Sequence, residues 1–93
     1  MNKKVIYRMH AIQRMFEREI TENDVNTVIM DGKIIQDYPD DKPYPSKLVL
    51  GFVKNRPLHI VYADNFEQNE QIVITVYEPE KDKWDDKFER RIK

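Results

Sequence analysis

His10, Arg14 and Arg18 recur at four-residue intervals, so a helix through them sets an imidazole and two guanidinium groups along one stripe. An imidazole exchanges protons near neutral pH, and guanidinium groups clamp a phosphodiester through paired N–H donors. A second imidazole, His59, lies between Leu58 and Ile60 in a β-like run. Thr75 and Tyr77 share a parity on a later run, where either can lie beside His59 across a ladder. Tyr77 can donate to or accept from a phosphate oxygen or a ribose hydroxyl.

Other chemistries find little support. The chain has no cysteine, and two histidines so far apart form no recognisable metal-ligand set. Asp40-Asp41 and Asp85-Asp86 read as solvated loop. Gly32 and Gly51 are the only glycines, which excludes a Gly-rich phosphate loop, and Ser46 is the only serine, with no partner to activate it. What survives is metal-free and cofactor-free acid–base chemistry with His and Arg. That pairing suits transphosphorylation of RNA, in which the 2′-hydroxyl is the internal nucleophile. One histidine removes the 2′-hydroxyl proton, His59 being favoured because a sheet position is rigid. The other protonates the leaving 5′-oxygen, Arg14 stabilises the transition state, and Tyr77 orients a phosphate oxygen. Either histidine can take either role, because parity does not say which way a ring points.

The elements that must position these groups are organised around residues 47–77. Three β-like runs, 47–53, 58–63 and 71–77, are rich in β-branched and aromatic residues, and the intervals between them suit hairpins. Lys54-Asn55-Arg56-Pro57 reads as a tight turn and 64–70 as a longer solvated loop. Upstream, 5–7 reads as a short β-run and 10–19 as a helix with Ala11, Ile12, Met15 and Phe16 on its apolar side. Thr21 and Asp24 have capping-box spacing, and Ile20 and Val25 the spacing of a hydrophobic staple. A second helix is therefore expected to start at Thr21 and stop at Gly32, with Gly32 left-handed. Residues 33–37 form a candidate strand, 38–46 a proline-stiffened loop, and 81–90 a short helix anchored by Trp84 and Phe88. The expected class is α+β: a helical corner on a curved three- or four-stranded antiparallel sheet. Both faces of the strands are partly apolar, which calls for a cover on the second face: the tail, a partner or a ligand.

Ninety-three residues suit one domain spanning 1–93. The net charge of -1 hides an asymmetry: residues 1–20 carry five Lys/Arg against two Glu, whereas 21–78 carry five against ten acidic groups. A nucleic-acid site would thus be built from the N-terminus. No apolar run approaches a membrane span, and 1–8 lacks the features of a signal peptide, so a cytoplasmic location is expected.

These motifs resemble the domain of unknown function 4258 family of small bacterial proteins. The likeness begins at His10-Ala11, Arg14-Met15 and Arg18, and continues through Ile20-Thr21 and Asp24-Val25. It resumes at Gly32, Leu50-Gly51, Arg56-Pro57-Leu58-His59 and Ile74-Thr75-Val76-Tyr77 with Pro79. The resemblance implies kinship with small RNA-cleaving toxins of RelE-like or barnase-like fold. It points to His10, Arg14, Arg18, His59, Thr75 and Tyr77 as the cleft, with Arg56 at the hairpin tip as an extra phosphate contact. Implied partners are RNA or the ribosome, a small antitoxin protein and a second copy of the chain. A non-catalytic binding domain that uses its open sheet face is the alternative.

Overall fold

The structure, a computed structural model, describes residues 3–92. A short strand, β1 (Lys4–Tyr7), leads into helices α1 (Met9–Glu17) and α2 (Glu22–Asp31). Strands β2 (Lys33–Tyr38), β3 (Ser46–Val53), β4 (Arg56–Asn65) and β5 (Glu70–Tyr77) follow. The architecture is α+β, but the sheet has five strands, in the order β1-β5-β4-β3-β2. The short β-run expected at 5–7 is present as β1, but the three- or four-stranded antiparallel expectation leaves it out of the sheet, where it joins parallel to β5. A parallel edge strand needs a partner distant in sequence, and four residues carry no local sign of one.

The helical corner forms through two consecutive caps. Ile20 N–H bonds to the Met15 carbonyl at 2.8 Å and Glu19 N–H to that of Phe16 at 3.4 Å, with Glu19 at φ 54°. This is a Schellman end, in which Glu19 takes the left-handed position usually held by glycine. The capping box follows at once. Thr21 Oγ1 accepts from Asp24 N–H at 3.0 Å, and Asp24 Oδ2 accepts from Thr21 N–H at 3.0 Å. Ile20 and Val25 are both buried in the core, as the staple spacing requires.

Gly32 ends α2, though for a different reason from the expected one. Its φ is -76°, an ordinary extended value. A Cβ there would lie 2.4 Å from the Val28 carbonyl oxygen and 2.6 Å from that of Leu50. Gly32 is needed for close approach and not for handedness. Gly51 plays the same part on β3, where a Cβ would come within 2.8 Å of both γ-carbons of Val28. The two glycines let α2 settle against the sheet at Val28.

Val49, Leu58, Ile60, Tyr62, Val73 and Val76 meet Ala11, Met15, Val25 and Val28 between sheet and helices. The β3–β4 hairpin closes on Lys54 and Asn55 alone, at φ 53° and 67°, the signature of a type I′ turn. Arg56 and Pro57 already belong to β4, paired with Val53 and Phe52. The solvated loop is likewise shorter than expected, since Asp64 and Asn65 are buried strand residues. Asp64 is tied to Lys3 at 3.1 Å and Lys47 at 3.8 Å. On α1, Ala11 and Met15 are buried, but Phe16 is 87% exposed and Ile12 48%.

Residues 80–92 do not form the expected helix. They make a folded tail of turns across the second face of the sheet, with Trp84 bridged to Arg91. Asp85 is its hub: Oδ1 accepts from Lys87 N–H at 3.2 Å and Glu89 N–H at 3.0 Å. Phe88 stands at φ 60°, a value that a helix interior does not allow. Replacing Gly51 by Ala should cost about 1–3 kcal/mol through overpacking against Val28. The cost should shrink in a Val28→Ala background, as urea unfolding of the two single variants and the double variant would show.

Candidate functional site

Tyr7, the last residue of β1, stands opposite Val73, so β1 covers β5 only as far as that residue and the outer edge of Ile74–Tyr77 stays open. Arg8 N–H takes the Val73 carbonyl at 3.0 Å, and the chain then turns into α1, which packs along β5. Only the Ala11–Met15 side of α1 is buried. His10, Arg14 and Arg18 therefore run along its shoulder, above the open edge. The tail closes the other side. The result is a cleft of about 270 Å³ lined by His10, Arg14, Arg18, Thr75, Tyr77, Glu78, Pro79, Glu80, Lys83, Trp84 and Arg91.

Five residues named for their chemistry thus line one cleft: His10, Arg14 and Arg18 from the helix, Thr75 and Tyr77 from the strand. Two others do not. Arg56 sits at the start of β4, 3.6 Å from the Glu78 carboxylate, and lines a separate depression with Glu19 and Asp24. His59 is fully buried behind Tyr77. Its Nδ1 lies 3.0 Å from the Tyr77 hydroxyl and its Nε2 2.8 Å from the Phe88 carbonyl. The Trp84 ring packs edge-on against the imidazole, with centroids 4.4 Å apart. Both ring nitrogens are occupied and no face of the ring is open. The role of direct base expected for His59 is corrected accordingly: the ring cannot touch a substrate in the cleft.

Lys83, Trp84 and Arg91 are the residues that sequence reasoning missed. Their signal was present but misread: Trp84 and Phe88 do anchor the tail, at spacing that mimics a helical turn. Glu78 and Glu80 temper the basic wall, with Glu80 3.4 Å from Lys83 and Glu78 turned toward Arg56. Arg14 lies 3.9 Å from Glu17 on the exposed side of α1, an ion pair weak enough for a ligand to displace.

Burial raises the Tyr77 phenol above its ordinary value, with Tyr38 adding to the rise and Arg91 opposing it, so the hydroxyl keeps its proton at neutral pH. Burial likewise pushes His59 below 6.5, against the pull of the Phe88 carbonyl, so the ring is neutral.

The family model for the Domain of unknown function (DUF4258) matches residues 7–78. The chain belongs to that family. The match runs from the last residue of β1 to the residue after β5, and so takes in the helix stripe and the strand edge of the cleft but not the tail wall. No curated protein and no solved structure matches the chain. Among the described residues no group of three or more His, Cys, Asp or Glu is placed to hold a metal ion. None of their helices is long and apolar enough to cross a membrane.

His59 makes the fold sensitive to acid. The unfolded chain protonates this imidazole below about pH 6.5, whereas the folded chain resists. Its contribution to stability is therefore complete above about pH 6.5 and is lost as pH falls toward the depressed folded value. Asp85, held below 3.8 first by the Glu89 amide, loses its contribution only at lower pH. Urea midpoints at pH 7.5 and 5.5 should differ more for the wild-type chain than for His59→Gln. The single tryptophan, Trp84, reports whether the tail detaches in the same step.

Proposed function

We propose that the cleft binds the backbone of single-stranded RNA and that the chain is a metal-independent endoribonuclease of toxin type. The carrying observation is the convergence of His10, Arg14, Arg18, Thr75 and Tyr77 on one cleft. Two guanidinium groups on a helix shoulder suit a phosphodiester, and Lys83 and Arg91 on the facing wall extend the basic track. Thr75 supplies a hydroxyl at the floor. In the reaction the 2′-oxygen attacks phosphorus and the bond to the 5′-oxygen breaks. The ends left are a 2′,3′-cyclic phosphate and a 5′-hydroxyl. His10 is the imidazole that reaches the cleft, and it protonates the departing 5′-oxygen. Arg14 stabilises the charge that gathers on the phosphorane-like transition state. Helices laid against a mostly antiparallel sheet are in keeping with the RelE-like or barnase-like comparison, and an RNA substrate, free or on the ribosome, fits a cytoplasmic site of action.

A second reading, a protein-binding module, has an observation of its own. Met9, Ile12 and Phe16 form a stripe on α1, and Met9 and Phe16 are 79% and 87% exposed. The tail occupies much of the sheet face that the sequence left open, so a partner would meet α1 instead. In this reading the stripe takes a second copy of the chain or a small antitoxin-like protein. Light scattering at micromolar concentration should then give a mass above the 11.3 kDa monomer, and Phe16→Ser should return it to monomer.

Cleavage of end-labelled RNA, with and without ribosomes, tests the first reading. His10→Ala should reduce the rate by about 10²–10⁴-fold, the usual contribution of a positioned acid or base. Arg14→Ala should also reduce it, Lys42→Ala in the distant loop should not, and a chelator should have no effect. Equal rates for wild type and His10→Ala would sink the mechanism. No cleavage under either condition would leave the binding-module reading.

A further inference from the structure

The direction of the hydrogen bonds around His59 decides what Tyr77 shows to the cleft. A carbonyl oxygen only accepts, so Nε2 carries the imidazole proton and donates it to Phe88, 2.8 Å away. Nδ1 is then a bare lone pair. The Tyr77 hydroxyl, at 3.0 Å, donates its single hydrogen there. The opposite tautomer would set an Nε2 lone pair against the carbonyl oxygen inside a fully buried contact, which is costly. Trp84, edge-on to the ring, holds it in this orientation.

Tyr77 also lines the cleft, and its one proton is spoken for. Toward the cleft the phenol oxygen offers lone pairs alone. A phosphate oxygen has no hydrogen to give and would meet repulsion, so the role of orienting a phosphate oxygen does not fit Tyr77. A hydroxyl does fit. We infer that the Tyr77 oxygen accepts a hydrogen bond from the ribose 2′-hydroxyl of a strand seated in the cleft, with His59 behind it as the positioning residue that fixes its polarity. The inference rests on the reading of the cleft as a phosphodiester site, and it adds the group that distinguishes RNA from DNA there.

The same chain of bonds accounts for the proton that the 2′-hydroxyl loses. As the O2′–P bond forms and the P–O5′ bond breaks, the 2′-hydroxyl proton passes to the Tyr77 oxygen. The proton of Tyr77 moves to His59 Nδ1, and the Phe88 carbonyl steadies the imidazolium through Nε2–H. His10 gives up the proton that the 5′-oxygen takes. One proton enters the relay and one is delivered to the leaving group, so the step balances.

The test compares three labelled oligouridines of equal length, with 2′-hydroxyl, 2′-fluoro and 2′-deoxy sugars. Fluorescence anisotropy is measured in the His10→Ala background, where cleavage is slow, and gel analysis after each titration checks that the ribo-strand is whole. The 2′-fluoro sugar keeps the size and electronegativity of the position but has no hydrogen to donate. The ribo-strand should bind about three- to tenfold tighter than both others, the value of one net neutral hydrogen bond. Adding Tyr77→Phe should bring all three to the 2′-deoxy level, with Trp84 emission unchanged as the check that the tail stays docked. Equal binding of the ribo- and 2′-fluoro strands overturns the inference while the phosphodiester reading stands, and so does a preference that survives Tyr77→Phe. Binding of none of the three overturns the phosphodiester reading and the inference with it.

Discussion

A buried imidazole must have both nitrogens satisfied, and in this fold the two partners of His59 come from different parts of the chain. Tyr77 is its cross-strand neighbour on β5, while Phe88 belongs to a tail with no regular secondary structure of its own. The bond to Phe88 and the edge-on contact of the Trp84 ring with the imidazole give the tail one location on the sheet. Because Lys83, Trp84 and Arg91 form the far wall of the cleft, the site inherits that location. The second sheet face, apolar enough to need a cover, receives one from within the chain. Phe88 extends the cover outward by meeting Phe52 edge-on at 6.4 Å.

The opposite wall depends on a steric condition. α2 reaches the sheet only because Gly32 and Gly51 leave room for Val28. α2 in turn is joined to α1 by two back-to-back caps with no spare residue between them: Glu19 and Ile20 close one helix, and Thr21 opens the next. A corner so short leaves α1 little freedom to roll. The side of α1 that turns to β5 is the one bearing Ala11 and Met15, and the arginine stripe follows from that choice. Helical periodicity decides that the two faces exist, and the corner decides where they point.

The capping box, the staple and the three long strands were legible in the sequence because each is a local pattern whose partners lie within a few residues or across one turn. So was the division of the site into two sets, His10, Arg14 and Arg18 on one helix and Thr75 and Tyr77 on one strand. Periodicity sets the first three on one stripe, and parity sets the other two on one face. What escaped were the features that depend on distant partners. β1 pairs in parallel with a strand more than sixty residues away, and Ser46–Val53 carries a glycine whose purpose is visible only with α2 in place. The tail was read as a helix because Trp84 and Phe88 are four apart, yet Asp85 draws the amides of Lys87 and Glu89 into turns instead. Parity leaves the direction of the His59 ring open; the group that fixes it, the Phe88 carbonyl, leaves no trace in side-chain sequence. Ile12 and Phe16 were assigned to the core from periodicity, but a nine-residue helix on one strand buries a narrower stripe than the pattern offers.

The net charge of -1 is the strongest argument against a polyanion ligand, and the distribution of charge in space weakens it. Asp64, the most buried carboxylate, is neutralised between Lys3 and Lys47. Asp37, Asp40 and Asp41 gather around a separate cavity with Tyr38 and Val61, on the β2 side of the sheet. The α1 stripe lies over β5, toward the other edge. A strand seated in the cleft would lie against the arginines of α1, while that acidic group lines a different cavity. Glu78 and Glu80 line the same cleft, but each lies beside a base, Arg56 or Lys83, which limits the repulsion they present. On the proposed reading such a surface would take a backbone in one orientation only, whereas a uniformly basic domain would coat itself in nucleic acid. Weak overall charge is thus compatible with a phosphodiester site, provided that the site is small and the contacts inside it are directional. A phenol oxygen whose polarity is fixed from behind is a contact of that kind.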